Sequence, residues 1–249
     1  MALKFLRRLF ERRAKTNNNH WKIAEDVKRV TISGRKFKEL GSRDFVPHEL
    51  GCGQFGTAVI GRVKFKDGTE RRVAVKHFHK PLSDLQAHKY QEVIDELKAA
   101  GINMPKVGMY KLPSGEWVQV SSLFGSTKKG SKLFENSFSF SSSDFVATGE
   151  KATLEVFEQS LKIANLGYKP MDDIFVIMAE SYYPLIMDFD LLVYGGKKKF
   201  NVVVKSIGDL YHKIKLAGVD ERKLKALLVK NGNRKLVAAF EKYWAKHGI

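Results

Sequence analysis

A glycine-rich turn followed by an apolar run that ends in a lysine constrains this chain more than any other stretch. The turn at residues 50–56 reads Leu-Gly-Cys-Gly-Gln-Phe-Gly, and the run at residues 73–76 reads Val-Ala-Val-Lys. Glycines at this spacing let the backbone approach phosphate oxygens closely, because no Cβ intrudes and positive φ angles are accessible. Lys76 supplies a positive charge that can reach the same oxygens. Together the two pieces indicate a phosphate-binding element.

The segments around this turn predict one antiparallel sheet. Apolar patterns at residues 59–65 and 71–78 flank Asp67-Gly68, which is the strongest short-range hairpin signal in the sequence. A second hairpin is expected at residues 107–112 and 117–120. A helix between the hairpins gives the order of three strands, a helix and two strands. In a P-loop domain, by contrast, the lysine directly follows the glycines.

The expected helix between the hairpins carries two acidic residues of interest. Ser83 or Asp84 can cap its first turn, and Gly101 can stop it. Glu92 and Glu96 lie about one turn apart on this helix.

The second half of the chain reads as mainly helical. Residues 121–149 are Ser-rich and irregular, which is typical of a connecting segment, and residues 150–165 predict a helix. Further along, a strand is expected at residues 200–204 and helices at about 206–217 and 220–246.

Two apolar strands between these helical regions carry aspartates at opposed ends. Asp172 and Asp173 precede the strand expected at residues 174–177, and Asp188 follows the apolar run at residues 184–187. An antiparallel hairpin of these two strands would gather the carboxylates into one cluster.

The order of these elements resembles the protein-kinase-like superfamily. The three glycines of that family's nucleotide-covering loop match Gly51, Gly53 and Gly56, and the aromatic residue at the loop tip matches Phe55. The family's lysine-bearing strand matches residues 73–76. The resemblance covers residues 45–195 and is strongest in its first part.

The resemblance implies a two-lobed α+β fold. An N-lobe with a five-stranded antiparallel sheet plus one helix is expected at residues 45–125, after a basic N-terminal helix and lead-in at residues 1–44. A Ser-rich connection and a reduced, mainly helical C-lobe are expected at residues 126–249. The implied cofactors are ATP and Mg²⁺, and Leu123 is implied to contact the nucleotide.

The resemblance also implies roles for the charged residues. Lys76 would bind the ATP phosphates with Glu92, which fits better than Glu96, as its orienting partner. The sequence Asp-Phe-Asp at residues 188–190 is similar to the family's metal-binding Asp-Phe-Gly element, so Asp188 is implied to hold Mg²⁺.

The chain departs from the family at the catalytic loop. The family carries His-Arg-Asp there, whereas residues 165–170 read Asn-Leu-Gly-Tyr-Lys-Pro. Either Asp172 takes the role of base in a shortened loop, leaving Asp173 and Asp188 for the metal, or phosphotransfer to a hydroxyl is crippled. Two functions stay open: an Mg-dependent phosphotransferase acting on an unidentified acceptor, and a catalytically impaired, pseudokinase-like binding module.

The charge of the chain is concentrated at its two ends. The net charge is +17, of which residues 1–15 contribute +5 and residues 191–249 contribute +10. Residues 2–14 also have the pattern of a basic amphipathic helix. These ends suggest an anionic partner, either nucleic acid or an acidic membrane surface.

Composition favours a globular protein in a reducing compartment. The chain is 43% hydrophobic and contains Cys52 as its single cysteine, which excludes an intramolecular disulfide. No apolar run reaches the length of a membrane span, and the N-terminus lacks the apolar core of a secretory signal. We therefore expect a soluble, cytoplasmic protein.

Overall fold

The computed structural model has an α+β fold. It describes residues 27–32, 49–122, 141–171, 175–178, 183–186 and 189–247. These ranges form a six-stranded antiparallel sheet, a separate two-stranded sheet and six helices. The predicted basic helix at residues 2–14 lies outside the described residues.

The large sheet has six strands, so the prediction of five was wrong. The strands are β1 (Val27–Ile32), β2 (Glu49–Cys52), β3 (Gly56–Phe65), β4 (Glu70–Phe78), β5 (Val107–Lys111) and β6 (Trp117–Ser122). The order is β1-β3-β4-β6-β5, and β2 also pairs with β3. Because β3 is ten residues long, one of its edges holds both short strands, with β2 along its first half and β1 along its second.

Both predicted hairpins are present in this sheet. Strands β3 and β4 pair antiparallel through a turn in which the carboxylate of Asp67 accepts hydrogen bonds from the backbone and hydroxyl of Thr69, at 2.9 and 2.7 Å. Gly68 adopts a φ of 84°, the left-handed conformation that glycine tolerates best. Strands β5 and β6 form the second hairpin.

Helix α1 (Asp84–Ala99) lies between the hairpins as the sequence predicted. The Ser83 hydroxyl accepts from the backbone of Gln86 while the Gln86 side chain accepts from the backbone of Ser83, which is a capping box. Gly101 follows the helix with a φ of 65°. The buried face of α1 packs into the main hydrophobic core and consists of Ala87, Tyr90, Val93, Ile94 and Leu97.

The rest of the chain is helical apart from one small hairpin. The helices are α2 (Ser142–Asn165), α3 (Asp190–Gly195), α4 (Phe200–Leu216), α5 (Glu221–Asn231) and α6 (Arg234–His247). Strands β7 (Phe175–Met178) and β8 (Tyr183–Ile186) pair antiparallel, which confirms the predicted hairpin. Within the described residues, no helix has the length and apolar character to cross a membrane.

Three predictions for the helical part were wrong. Residues 142–148 are helical rather than irregular, and α2 continues past a break at Gly149, where φ is 81°. Residues 200–204 begin α4 instead of forming a strand. Their valines favour strand locally, but Val203, Val204, Ile207 and Tyr211 recur at helical spacing and bury one face, so tertiary packing decides.

The third wrong prediction was a single helix at residues 220–246. The chain breaks between α5 and α6 at Gly232, where a Cβ would lie 2.6 Å from the carbonyl oxygen of Leu228. The side chain of Asn233 then accepts a hydrogen bond of 2.8 Å from the backbone of Leu236, which caps α6.

Two hydrophobic clusters lie on opposite faces of the large sheet. One cluster contains only sheet residues: Val59, Val63, Phe65, Val73, Val75, Val118 and Val120. The other is larger and joins α1 to the helices of the second half, through residues that include Phe78, Tyr90, Phe157, Phe189, Tyr211 and Phe240. The sheet and the helical part are therefore held together by one continuous core on the α1 side.

Candidate functional site

The glycine-rich turn links β2 to β3 and is tightly fitted at one glycine. A Cβ on Gly56 would lie 2.1 Å from the carbonyl oxygen of His77 on the neighbouring strand, so only glycine fits there. Gly53 has a different environment, because its nearest neighbour would be 4.0 Å from an added Cβ. The backbone N–H of Gly53 donates to the carbonyl of Gly56 at 2.9 Å and closes the turn. Glycine is thus required at position 56 by the neighbouring strand, whereas an added Cβ at Gly53 would make only an ordinary van der Waals contact.

The tip of the turn is held by residues on two other elements. The carbonyl of Phe55 accepts from the backbone of His79 at 3.0 Å, and the ring nitrogen Nε2 of His79 lies 2.9 Å from the carbonyl of Gly53. The Phe55 ring stacks on the ring of Tyr194 in α3, with centroids 4.7 Å apart and an interplanar angle of 16°. The turn is therefore anchored both to the end of β4 and to the helical part.

Two backbone donors of the turn are available to a ligand. Within the described residues, the N–H groups of Gln54 and Phe55 make no hydrogen bond to protein. Gln54 is exposed and Phe55 is partly exposed. Consecutive N–H groups in a turn form a site suited to an anion.

Lys76 points from β4 toward the helical part and meets a buried carboxylate. Its ammonium forms an ion pair with Oδ2 of Asp190, the first residue of α3, across 114 positions of sequence. The Asp190 side chain is 0% exposed and that of Lys76 is 19% exposed. The ion pair therefore has one buried end and one end that reaches solvent.

Tyr90 of α1 supplies a further hydrogen bond to this carboxylate. Its hydroxyl donates to Oδ1 of Asp190 at 2.6 Å. Burial, followed by the hydrogen bond to Asp190, raises the pKa of the Tyr90 hydroxyl, so it stays a donor. The Tyr90 ring also contacts the ring of Tyr194 edge-on, at 6.1 Å between centroids. Sheet, α1 and α3 thus meet at one carboxylate.

The expected pairing of Lys76 with Glu92 is not seen. Glu92 is exposed, whereas Glu96 accepts from Lys197 at 2.9 Å and from the Tyr168 hydroxyl at 2.8 Å. The hydrogen bond from Lys197 lowers the pKa of Glu96. Among the described contacts, Lys76 therefore pairs with Asp190 and with neither helix glutamate.

Sequence reasoning missed Asp190, although a signal for it existed. The residue stands where the resembled Asp-Phe-Gly element carries glycine, and a charged side chain in place of glycine requires a partner if it is buried. Phe189, just before it, is 1% exposed and packs into the main core. Burial of Phe189 and of Asp190 itself, which is 0% exposed, places the carboxylate inside the molecule.

The other expected site residues lie outside the described residues, namely Leu123, Asp172, Asp173 and Asp188. The strands that lead to these aspartates are described, and they pair directly: Phe175 lies opposite Ile186. Within the described ranges, no group of three or more His, Cys, Asp or Glu side chains is placed to hold a metal ion.

No protein-family model matches the chain, and a search of the curated proteins finds no match.

Proposed function

We propose that this chain is a kinase-like, ATP-binding protein of the cytoplasm and an Mg-dependent phosphotransferase with a two-lobed fold. The observation that carries the proposal is the contact between Lys76 and Asp190. It joins β4, the second strand after the glycine-rich turn, to Asp190, which stands two residues after Asp188 in sequence, as a shared nucleotide site requires.

The turn and the lysine fit the phosphate groups of a nucleotide. The backbone N–H groups of Gln54 and Phe55 are available as donors, and a ligand could approach Gly53 closely. Lys76 has an exposed fraction of 19%, so its ammonium can contact a phosphate while Asp190 holds its position. Gly51, Gly53, Phe55 and Gly56 would cover the phosphates, and Leu123 would contact the base.

The metal would be held by Asp173 and Asp188, which flank the β7–β8 hairpin in sequence. Phe175 and Ile186 are direct partners at one end of the hairpin. In sequence, Asp173 stands two residues before Phe175 and Asp188 two residues after Ile186. Mg²⁺ prefers hard oxygen ligands of this kind and, when bound, would neutralise developing phosphate charge. Asp172 is proposed as the base that receives the acceptor's proton.

A nucleotide titration tests this proposal. Binding of a fluorescent ATP analogue to the whole chain should require Mg²⁺ and should weaken in Lys76→Ala and Asp188→Ala. Lys64→Ala is the matched control, because Lys64 is an exposed lysine of β3 in the same sheet. Binding that persists unchanged in both site variants would contradict the proposal.

A second candidate function is a pseudokinase-like binding module that engages a polyanion through its basic ends. The observation that favours it concerns Asn165, the first residue of the segment that stands in place of the family's catalytic loop. The contacts of its side chain are structural. Its side chain donates to the carbonyl of Asn231 at 2.6 Å and accepts from the backbone of Asn233 at 2.9 Å. Autophosphorylation that Asp188→Ala abolishes would rule out this second function.

A further inference from the structure

A cluster of basic residues surrounds the segment at residues 165–171, directly before Asp172. The cluster is called the basic patch here and comprises Lys169, Lys198, Lys199, Arg234 and Lys235, all of them exposed. They come from three separate stretches of chain.

Direct contacts bring the first two stretches together. The backbone of Lys198 donates to the carbonyl of Gly167 at 2.9 Å. The ammonium of Lys197 lies 5.6 Å from the centre of the Tyr168 ring, immediately before Lys169. The carbonyl of Pro170 accepts from the Ser206 hydroxyl of α4 at 3.0 Å, so the residues on both sides of Lys169 contact the stretch of chain at residues 197–206.

The start of α6 joins the same surface. The ammonium of Lys235 lies 4.6 Å from the centre of the Phe200 ring, and Phe200 directly follows Lys199. Arg234 begins the helix one residue after Asn233, whose backbone donates to Asn165. The five basic residues therefore border one short segment of chain.

The members of the basic patch have no ion-pair partner among the described residues. In this part of the chain, five basic residues thus stand without an ion pair, whereas other basic residues of the helical part form one. Lys197 pairs with Glu96, Lys223 with Glu150 and Lys225 with Glu221. Clustered cations without counter-charges attract an anionic partner, and the attraction is strongest for one with several charges.

The chemistry of the patch favours a phosphate chain over acidic peptide or membrane. Four of its five members are lysines, which bind phosphate as point charges. A nucleic-acid strand presents one phosphate charge at every nucleotide, which suits cations that are spread over three stretches of chain. Attachment to a membrane surface uses apolar side chains beside the basic ones. Among the exposed large apolar residues in the described part of the chain, Tyr194 and Val202 stand near Lys198 and Lys199 in sequence, and the other five belong to other stretches.

We propose that the basic patch binds the sugar–phosphate backbone of a nucleic acid and that a hydroxyl of this strand is the phosphoacceptor. The second part rests on the proposed function. In that step the acceptor oxygen bonds to the γ-phosphorus of ATP as the bond from this phosphorus to the β,γ-bridging oxygen breaks. ADP leaves with the electron pair, and the hydroxyl proton passes to Asp172.

Fluorescence anisotropy with labelled single-stranded RNA, single-stranded DNA and duplex DNA tests the binding without ATP. The patch variant carries Lys198→Gln, Lys199→Gln and Lys235→Gln. Each lost phosphate contact lowers the slope of log affinity against log salt by about 0.7 for a single strand. Losing three contacts should therefore shrink the affinity drop between about 50 and about 200 mM salt by about 20-fold.

The matched control carries Lys213→Gln, Lys242→Gln and Lys246→Gln, which removes the same charge from three exposed lysines. Lys213 and Lys246 lie about 20 and about 16 Å along their helices from the patch. The control should bind the oligonucleotide as the unmodified chain does. Equal losses in both variants, or no loss in the patch variant, would overturn the proposal, provided that circular dichroism shows both to be folded.

Two further measurements separate the alternatives. Tighter binding to phosphatidylserine vesicles or to polyglutamate than to any oligonucleotide would overturn the assignment to nucleic acid. With γ-labelled ATP, transfer of label to the oligonucleotide should disappear in the patch variant while ATP-analogue binding is retained. Oligonucleotide binding without transfer would overturn the acceptor role alone, and absence of ATP-analogue binding in the unmodified chain would overturn the proposed function instead.

Discussion

The ion pair between Lys76 and Asp190 should respond asymmetrically to removal of its two partners. Asp190 is 0% exposed and Lys76 is 19% exposed. Lys76→Met takes the cation away from a fully buried carboxylate, whereas Asp190→Asn leaves an ammonium that can turn to water. The first substitution should therefore destabilise the protein more than the second.

The expected magnitudes follow from the burial of each partner. Removing one member of a buried pair costs about 3–5 kcal/mol in unfolding free energy, and we expect Lys76→Met to fall in this range. In Asp190→Asn the amide oxygen still accepts from Tyr90, so the loss is mainly the charge-assisted part of two hydrogen bonds, about 2–3 kcal/mol. For a chain of this size that corresponds to a fall in melting temperature of about 4–12 °C.

Urea denaturation followed by circular dichroism measures both values. The double variant Lys76→Met/Asp190→Asn should cost less than the sum of the single variants, by about 0.5–3 kcal/mol, because no uncompensated charge is left. Asp209→Asn, at an exposed position of α4, is the control and should stay within about 0.5 kcal/mol of the unmodified chain. The reasoning is refuted if Asp190→Asn costs as much as Lys76→Met or if the two costs add.

Two more predictions concern the glycine-rich turn and helix α1. Gly56→Ala should destabilise the fold by at least about 2 kcal/mol in urea denaturation, because its Cβ would lie 2.1 Å from the His77 carbonyl oxygen. Gly53→Ala should change the unfolding free energy by no more than about 0.5 kcal/mol and weaken only ATP-analogue binding. A larger loss of stability in Gly53→Ala than in Gly56→Ala would contradict the fit described for the turn. Lys197 lowers the pKa of Glu96 below its ordinary 4.5 in the folded state, so the stabilisation is present above pH 4.5 and is lost as the pH falls through the lowered pKa. The melting temperature of Glu96→Gln should accordingly be slightly below that of the unmodified chain at neutral pH and equal to it in acid, and a constant difference across this range would contradict the assignment.

The sheet and α1 could be predicted from sequence because their signals are local. Asp67 and Gly68 specify a hairpin turn by themselves, and Ser83 with Gln86 specifies a helix start. Lys76 was placed correctly at the end of a strand beside the turn. In each case the residues that determine the conformation lie within four positions of one another.

The partner of Lys76 could not be predicted in this way, because it is 114 positions distant and its selection depends on packing. The spacing on α1 allowed either Glu92 or Glu96 as the partner of Lys76, but Glu96 accepts a hydrogen bond from Lys197. The mistaken strand at residues 200–204 has a similar cause, since a run of valines favours strand locally, whereas α4 buries Val203 and Val204 on one helical face. Long-range burial decided both outcomes.

The use of Asp190 in place of a glutamate from α1 changes what controls the position of the lysine. A partner on α1 would make the lysine depend on that helix alone. Asp190 belongs to α3 and is bonded to Tyr90 of α1, so the lysine depends on both elements at once. The Phe55 ring of the glycine-rich turn rests on Tyr194 of the same short helix. Movement of α3 would therefore displace the lysine's partner and the support of the turn together, which makes this helix the element on which the geometry of the candidate site depends.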